Sequence, residues 1–246
     1  MQRQTTKKDI LVIRNFSKSY QKGKKAVNDL SLSVQAGDIY GFIGHNGAGK
    51  TTTIRAVAGI LEFREGEILI CGHSIQKEPI LCKSEIAYIP DNPDLYEYLT
   101  GIQYLTYIGD IFQVSAAQKE ARIRKYSDLL ELTEHLGDLI SSYSHGMKQK
   151  LAIISALIHD PRLLILDEPF VGLDPQASYH LKSIMKELCD KGSAIFFSTH
   201  VLEVAEKLCN KIAIIKNGRL IASGPTEEVR GSSSLEEVFL EVAKDE

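Results

Sequence analysis

Apolar and polar positions alternate along residues 9–14 and 30–34, with charged or turn-like stretches between them, and this period of two predicts strands. Residues 39–43 form a short apolar run that ends in glycine, the pattern of a buried strand feeding a loop. From 50 to 60 the period turns helical, and 67–70 and 86–89 read as strands again. Between about 100 and 139 the character changes. Tyr104, Leu105, Ile108 and Ile111, then Ile123, Leu129, Leu130 and Leu132, fall near helical spacing. A helix is predicted from Gly146 to Ile158, followed by a buried strand at 163–166, a helix at 177–189 and a strand at 194–197. A further helix covers 201–208, and two strands, 212–215 and 220–222, flank an Asn217-Gly218 turn. Ser232, Ser233 and Ser234 are placed to cap a last helix. Strands alternating with amphipathic helices predict an α/β chain with a mainly parallel sheet covered on both faces. The organisation expected is one domain over residues 1–246, with an all-helical subdomain inserted at about 95–155.

Composition narrows the function classes. Hydrophobic residues make up 43% and charged residues 25%, the balance of a soluble globular chain. A net charge of −3 and a pI near 6.2 provide no global basic field, so nucleic acid is not an expected partner and any membrane role must come through a protein. No apolar run approaches the roughly 18 residues needed to cross a bilayer, and residues 1–9 lack the apolar core of a secretory signal. The expected location is cytoplasmic. Cys71, Cys82, Cys189 and Cys209 stand at unrelated spacings with no Cys-x-x-Cys, which fits buried apolar packing better than disulfides or zinc.

Gly44-His45-Asn46-Gly47-Ala48-Gly49-Lys50-Thr51 satisfies G-x-x-x-x-G-K-[ST] in full, after a predicted strand and before a predicted helix. Glycines let backbone N–H groups turn inward to cradle phosphate oxygens, and the helix start adds its positive dipole end. Lys50 would reach the β- and γ-phosphates, the Thr51 hydroxyl would ligate Mg2+, and Thr52 can offer a further hydroxyl or amide. Leu163-Leu164-Ile165-Leu166-Asp167-Glu168-Pro169 then delivers two adjacent carboxylates to the C-terminal end of a buried strand, the edge where open α/β sheets hold ligands. Adjacent strand residues face opposite ways, which predicts separate tasks: Asp167 for the Mg2+ shell and Glu168 for the attacking water.

With these two motifs in place, Tyr143-Ser144-His145-Gly146-Met147-Lys148-Gln149 resembles the signature segment of the ATP-binding cassette (ABC) ATPases, commonly Leu-Ser-Gly-Gly-Gln. A Ser hydroxyl and a Gly N–H at a helix N-terminus make an anion site. The resemblance spans almost the whole chain. It implies a P-loop fold with an N-terminal antiparallel β subdomain and an inserted helical subdomain. It also implies a Mg2+-dependent ATPase that works as a head-to-tail pair, a homodimer or a heterodimer with a related cassette. Ser144 and Gly146 of one subunit would close over ATP held by the other. Tyr20 is similar to the aromatic residue that stacks on adenine, Gly172-Leu173-Asp174 to the D-loop, and His200 to the switch histidine at the γ-phosphate. Two departures stand out. Asp91 occupies the place of the usual Gln after Pro90, as a shorter, charged candidate at the metal. His145 replaces a glycine and fits only with its side chain turned outward.

The resemblance further implies integral membrane permease subunits docking near 90–100, peripheral attachment to the membrane through them, and a motor of the ABC-2 exporter type. The rival expectation is a soluble cassette ATPase, such as an iron–sulfur assembly scaffold or a ribosome-associated factor.

Overall fold

The computed structural model describes residues 8–21 and 24–244; residues 1–7, most of the stretch read above for a signal, lie outside them. Two strands, β1 (Asp9–Gln21) and β2 (Lys24–Gln35), lead into β3 (Ile39–Ile43) and α1 (Lys50–Val57). They are followed by β4 (Glu65–Ile70), β5 (His73–Ser74), α2 (Pro79–Glu85) and β6 (Ile86–Ile89). Next come α3 (Gly101–Ile111), α4 (Ala116–Leu129), two 3-10 turns (Thr133–His135 and Ile140–Ser142) and α5 (His145–Leu157). The remainder alternates: β7 (Leu163–Asp167), α6 (Pro175–Asp190), β8 (Ala194–Thr199), α7 (Leu202–Leu208), β9 (Lys211–Lys216) and β10 (Arg219–Pro225), closed by α8 (Thr226–Arg230) and α9 (Leu235–Lys244).

Two sheets result. An antiparallel sheet of order β2-β1-β4-β5 covers one side, and a six-stranded sheet of order β10-β9-β3-β8-β7-β6 forms the centre. In the central sheet β9, β3, β8, β7 and β6 are parallel, and only β10 returns antiparallel through the hairpin. That hairpin turns at Asn217 and Gly218, with φ of 48° and 77°, the left-handed pair that a two-residue turn requires.

The apolar runs of the central strands are continuous because both faces are buried. Along β7, Leu164 and Leu166 enter one core while Leu163 and Ile165 enter the other. Along β8, Ile195 and Phe197 divide in the same way from Ala194 and Phe196. The first core holds α5, α6 and the helices between β6 and β7; the second is closed by α1 and the antiparallel sheet. Cys82, Cys189 and Cys209 lie buried in these cores, where the Cys82 and Cys189 thiols donate to the His73 and Asp38 carbonyls.

Three elements have no counterpart in the sequence pattern: β5, α2 and α8. In α2 only Cys82 is buried, while Ile80 and Leu81 are 83% and 50% exposed, so no apolar period marks the helix. The helix after the phosphate loop ends at Val57, short of residue 60, because Gly59 turns left-handed (φ 67°) and donates to the Ala56 carbonyl. The last helix is capped as its serines suggest: the Ser234 hydroxyl accepts from the Glu237 N–H at 3.2 Å.

Candidate functional site

The parallel strands β3, β8, β7 and β6 are neighbours, so the loops that leave their C-terminal ends meet on one edge of the sheet. From β3 comes the phosphate loop. Gly44 and Gly49 are close-approach positions: an added Cβ would meet the Ile215 carbonyl oxygen at 2.6 Å in the first and the Ala26 carbonyl oxygen at 2.6 Å in the second, which also has φ of 108°. At Gly47 a Cβ would meet nothing within 4 Å, so the backbone there stands open. The loop is closed on itself by the Ala48 N–H donating to the His45 carbonyl (3.1 Å).

Lys50 is buried, and its ammonium donates to the Gly44 carbonyl at 2.6 Å and the His45 carbonyl at 3.3 Å. It also stands 3.6 Å from Glu168 Oε1. A cavity of about 460 Å³ opens in front of it, lined by His45, Asn46, Gly47, Gly49, Lys50, Thr51 and Thr52 on one side, with Asp91, Asp167 and Glu168 across from them. The Tyr20 hydroxyl lies 3.3 Å from the Thr52 hydroxyl, and the Tyr20 ring is 61% exposed beside the cavity mouth.

Strand alternation does not reach Glu168. The strand ends at Asp167, and Glu168 adopts a left-handed backbone with φ of 50°, a costly conformation for a side chain with a Cβ. Asp167 is buried and accepts from the Ser198 hydroxyl at 2.5 Å; the same hydroxyl accepts from the Glu168 N–H at 3.1 Å. Glu168 Oε2 then meets His200 Nδ1 at 2.9 Å and accepts from the His200 N–H at 3.3 Å. Ser198 thus pins the Asp167 carboxylate and the Glu168 main chain together, and nothing in its residue type singled it out. Its place two residues before His200, on the strand beside β7, is the signal that would have found it. Ser198→Ala leaves a buried carboxylate and an N–H without their hydroxyl, and should lower stability by about 1–3 kcal/mol. A urea unfolding midpoint equal to wild type would remove Ser198 from this role.

Arg55 and Tyr88 also line the cavity. Arg55 lies one helical turn beyond Thr51 on α1, and Tyr88 stands two residues before Pro90. Burial and the nearby Asp167 carboxylate push the Tyr88 phenol up, while its hydrogen bond from the Arg55 side chain pulls the other way, so the group stays neutral.

Ser144 and Gly146 do not line this cavity. Ser144 is the N-cap of α5, its hydroxyl accepting from the Met147 N–H at 3.2 Å. His145 is exposed, and the edge of its ring lies against Gly172, where an added Cβ would come within 2.6 Å of Cδ2. The imidazole therefore packs against Gly172, the first residue of the Gly172-Leu173-Asp174 turn. That turn caps α6 through Asp174, whose carboxyl is held below its ordinary range by the Ala177 N–H and then by Lys150.

The donor set fits a polyphosphate with a divalent cation. A buried ammonium and an open glycine backbone before α1 share one cavity with three carboxylates, Thr51 and Thr52.

Comparison with known proteins gives the same direction. A family profile described as "ABC transporter" matches residues 27–171. The chain is 39% identical over 215 residues to YhcH of Bacillus subtilis (strain 168), an uncharacterized ABC transporter ATP-binding protein, covering 87% of this chain and 69% of the relative. It is 36% identical over 220 residues to the Nod factor export ATP-binding protein I of Cupriavidus metallidurans, covering 89% and 72%. Relatives from Synechocystis and Nostoc extend further beyond it, the chain spanning 63% and 61% of their lengths. A solved structure described as an ATP-binding subunit of an ABC transporter superposes with a TM-score of 0.91 at 35% identity, covering 96% of this chain and all of the other.

Proposed function

Because the chain belongs to the ABC transporter family as one of its ATP-binding ATPases, we propose that it is the motor subunit of a membrane exporter, hydrolysing ATP at the cavity between the phosphate loop and Glu168. The observation that carries the site is the Lys50–Glu168–His200 constellation beside the buried Asp167.

In this reading Lys50 binds the β- and γ-phosphate oxygens, and the backbone from Gly44 to Thr52 cradles them, Ala48 by its main chain. Thr51, Asp167 and Asp91 would hold Mg2+, which supplies positive charge against the phosphate oxygens. Glu168 accepts the proton of the attacking water through its carboxylate, and His200 holds Glu168 in place through Nδ1 while presenting its other ring nitrogen to the γ-phosphoryl group. Ser144 and Gly146 lie outside the cavity of their own chain, which supports a head-to-tail pair in which each signature segment completes the other subunit's site. Tyr20 stacks on the adenine. Tyr20→Ala should therefore weaken ATP binding by about three- to tenfold, the value of one aromatic stack; calorimetric titration giving an unchanged Kd would exclude the stacking role.

The segment between Pro90 and Thr100 gives the motor its outlet. One end, at Asp91, borders the cavity, and the other presents Tyr96 and Tyr98, 44% and 75% exposed and stacked at 5.9 Å. Between them Glu97 pairs with Lys148 of the signature helix α5. A permease helix seated on these rings would feel a shift at either the nucleotide or the signature. Export as the direction of transport is supported by the likeness to a protein named for Nod factor export and by the signature and switch segments.

To test the whole reading, a tagged Glu168→Gln chain is trapped with Mg-ATP in solubilised host membranes. Co-purification of a multi-span membrane protein is the expected result. Recovery of soluble proteins or ribosomes alone would refute the transporter assignment.

A further inference from the structure

We infer that the C-terminal helix α9 positions the phosphate loop through one aromatic contact, Phe239 on His45. The inference rests on the nucleotide-binding reading of that loop. The two ring centroids are 4.5 Å apart at an interplanar angle of 53°, a tilted aromatic pair. His45 is otherwise an exposed residue near the start of the loop, yet its main chain is part of the loop's frame: its carbonyl accepts both the Ala48 N–H (3.1 Å) and the Lys50 ammonium (3.3 Å). Holding the His45 side chain therefore restrains the carbonyl that aims Lys50.

The helix that supplies Phe239 is well anchored. Ser234 and Glu237 cap it reciprocally, the Ser234 N–H donating to Glu237 Oε2 at 2.9 Å and the Glu237 N–H to the Ser234 hydroxyl at 3.2 Å. Leu235 is fully buried in the first core, and its N–H donates to Glu206 Oε2 of α7 at 3.1 Å. The other oxygen of Glu206 takes Arg230 at 3.1 Å, so one carboxylate fixes both the end of α8 and the start of α9. Helix α7 begins two residues after His200. A helix fastened to the switch-histidine segment thus reaches across to rest Phe239 on the phosphate loop, tying together two pieces of one subunit that grip the same phosphates. Phe239 touches no substrate and is a positioning residue.

The test is steady-state ATP hydrolysis and ATP binding by the full chain. Phe239→Ala should raise KM for ATP about two- to tenfold, the scale of one aromatic pair, with kcat within about twofold of wild type. Phe239→Tyr keeps the ring and should restore KM. Leu240→Ala, exposed on the same helix, should leave both constants unchanged. In a His45→Ala background, Phe239→Ala should add nothing. Phe239→Leu keeps the apolar packing but not the aromatic face, and reads the same effect if the alanine variant fails to fold. An unchanged KM in both Phe239→Ala and Phe239→Leu, a rise in Leu240→Ala of equal size, or effects that multiply in the double variant would overturn the inference while leaving the ATP site intact. Wild-type protein that binds no ATP would overturn the site and the inference together.

Discussion

Glu168→Gln protein should bind Mg-ATP with close to wild-type affinity and hydrolyse it about 10²–10⁴-fold more slowly, the usual worth of a general base. The substitution keeps the side chain's size and one carbonyl-type oxygen, so the His200 Nδ1 contact at 2.9 Å survives as a hydrogen bond to the amide oxygen. The Glu168 N–H remains on Ser198, and the left-handed backbone is unaltered, so the cavity keeps its shape. What is lost is the capacity to accept a proton. Replacing a negative carboxylate 3.6 Å from the Lys50 ammonium by a neutral amide also removes a competitor for that cation, which favours ATP retention. Single-turnover hydrolysis together with equilibrium nucleotide binding separates the two effects. Normal turnover in this variant would take the base from Glu168, and lost binding would mean that the residue serves the architecture of the site instead.

Lys50→Ala is expected to fail at the earlier step. The ammonium is buried beside the phosphate loop, where the Gly44 and His45 carbonyls take two of its three N–H groups, so it releases at least one carbonyl to donate to both the β- and γ-phosphates. Losing two charge-assisted hydrogen bonds, each worth about 1.5–3 kcal/mol, should weaken ATP binding by about a hundredfold or more. The Glu168 carboxylate would then face the phosphates with no cation beside it, which adds to the loss. Lys50→Arg should not rescue binding, because a planar guanidinium cannot fit where a compact ammonium sits under two carbonyls. An ATP affinity in Lys50→Ala equal to that of wild type would contradict the phosphate role outright.

The parts of this site that sequence makes legible are those whose chemistry is local. Gly44 to Thr51 carries its own spacing, and the apolar strand before Asp167 announces where the carboxylates emerge, because both depend on neighbours a few residues away. Ser198 and Phe239 depend on distant ones. Ser198 matters because β8 lies beside β7, and Phe239 because α9 folds back over a loop nearly two hundred residues earlier. Neither fact is written in a residue type or a period. Asp167 and Glu168 show a subtler limit: alternation along the strand cannot place Glu168, since the strand ends at Asp167 and Glu168 takes a left-handed backbone whose N–H donates to Ser198 and whose carboxylate meets His200. Helix α2 escapes the pattern because it lies flat on the surface with a single core contact, and its outward Ile80 and Leu81 mimic an irregular loop.

The strand order has a consequence for synthesis. β3, which carries the phosphate loop, lies between β8 and β9 and pairs with no strand from the first half of the chain. Its apolar Ile39, Tyr40, Phe42 and Ile43 emerge from the ribosome long before Ala194–Thr199 and Lys211–Lys216 exist to cover its edges. At about 5–20 residues per second, that interval lasts roughly ten to thirty seconds. During it the nascent chain has the phosphate-loop sequence without the sheet that shapes it, so ATP cannot assist folding until Lys211–Lys216 has been made, and the unpaired strand is a segment for a chaperone to cover.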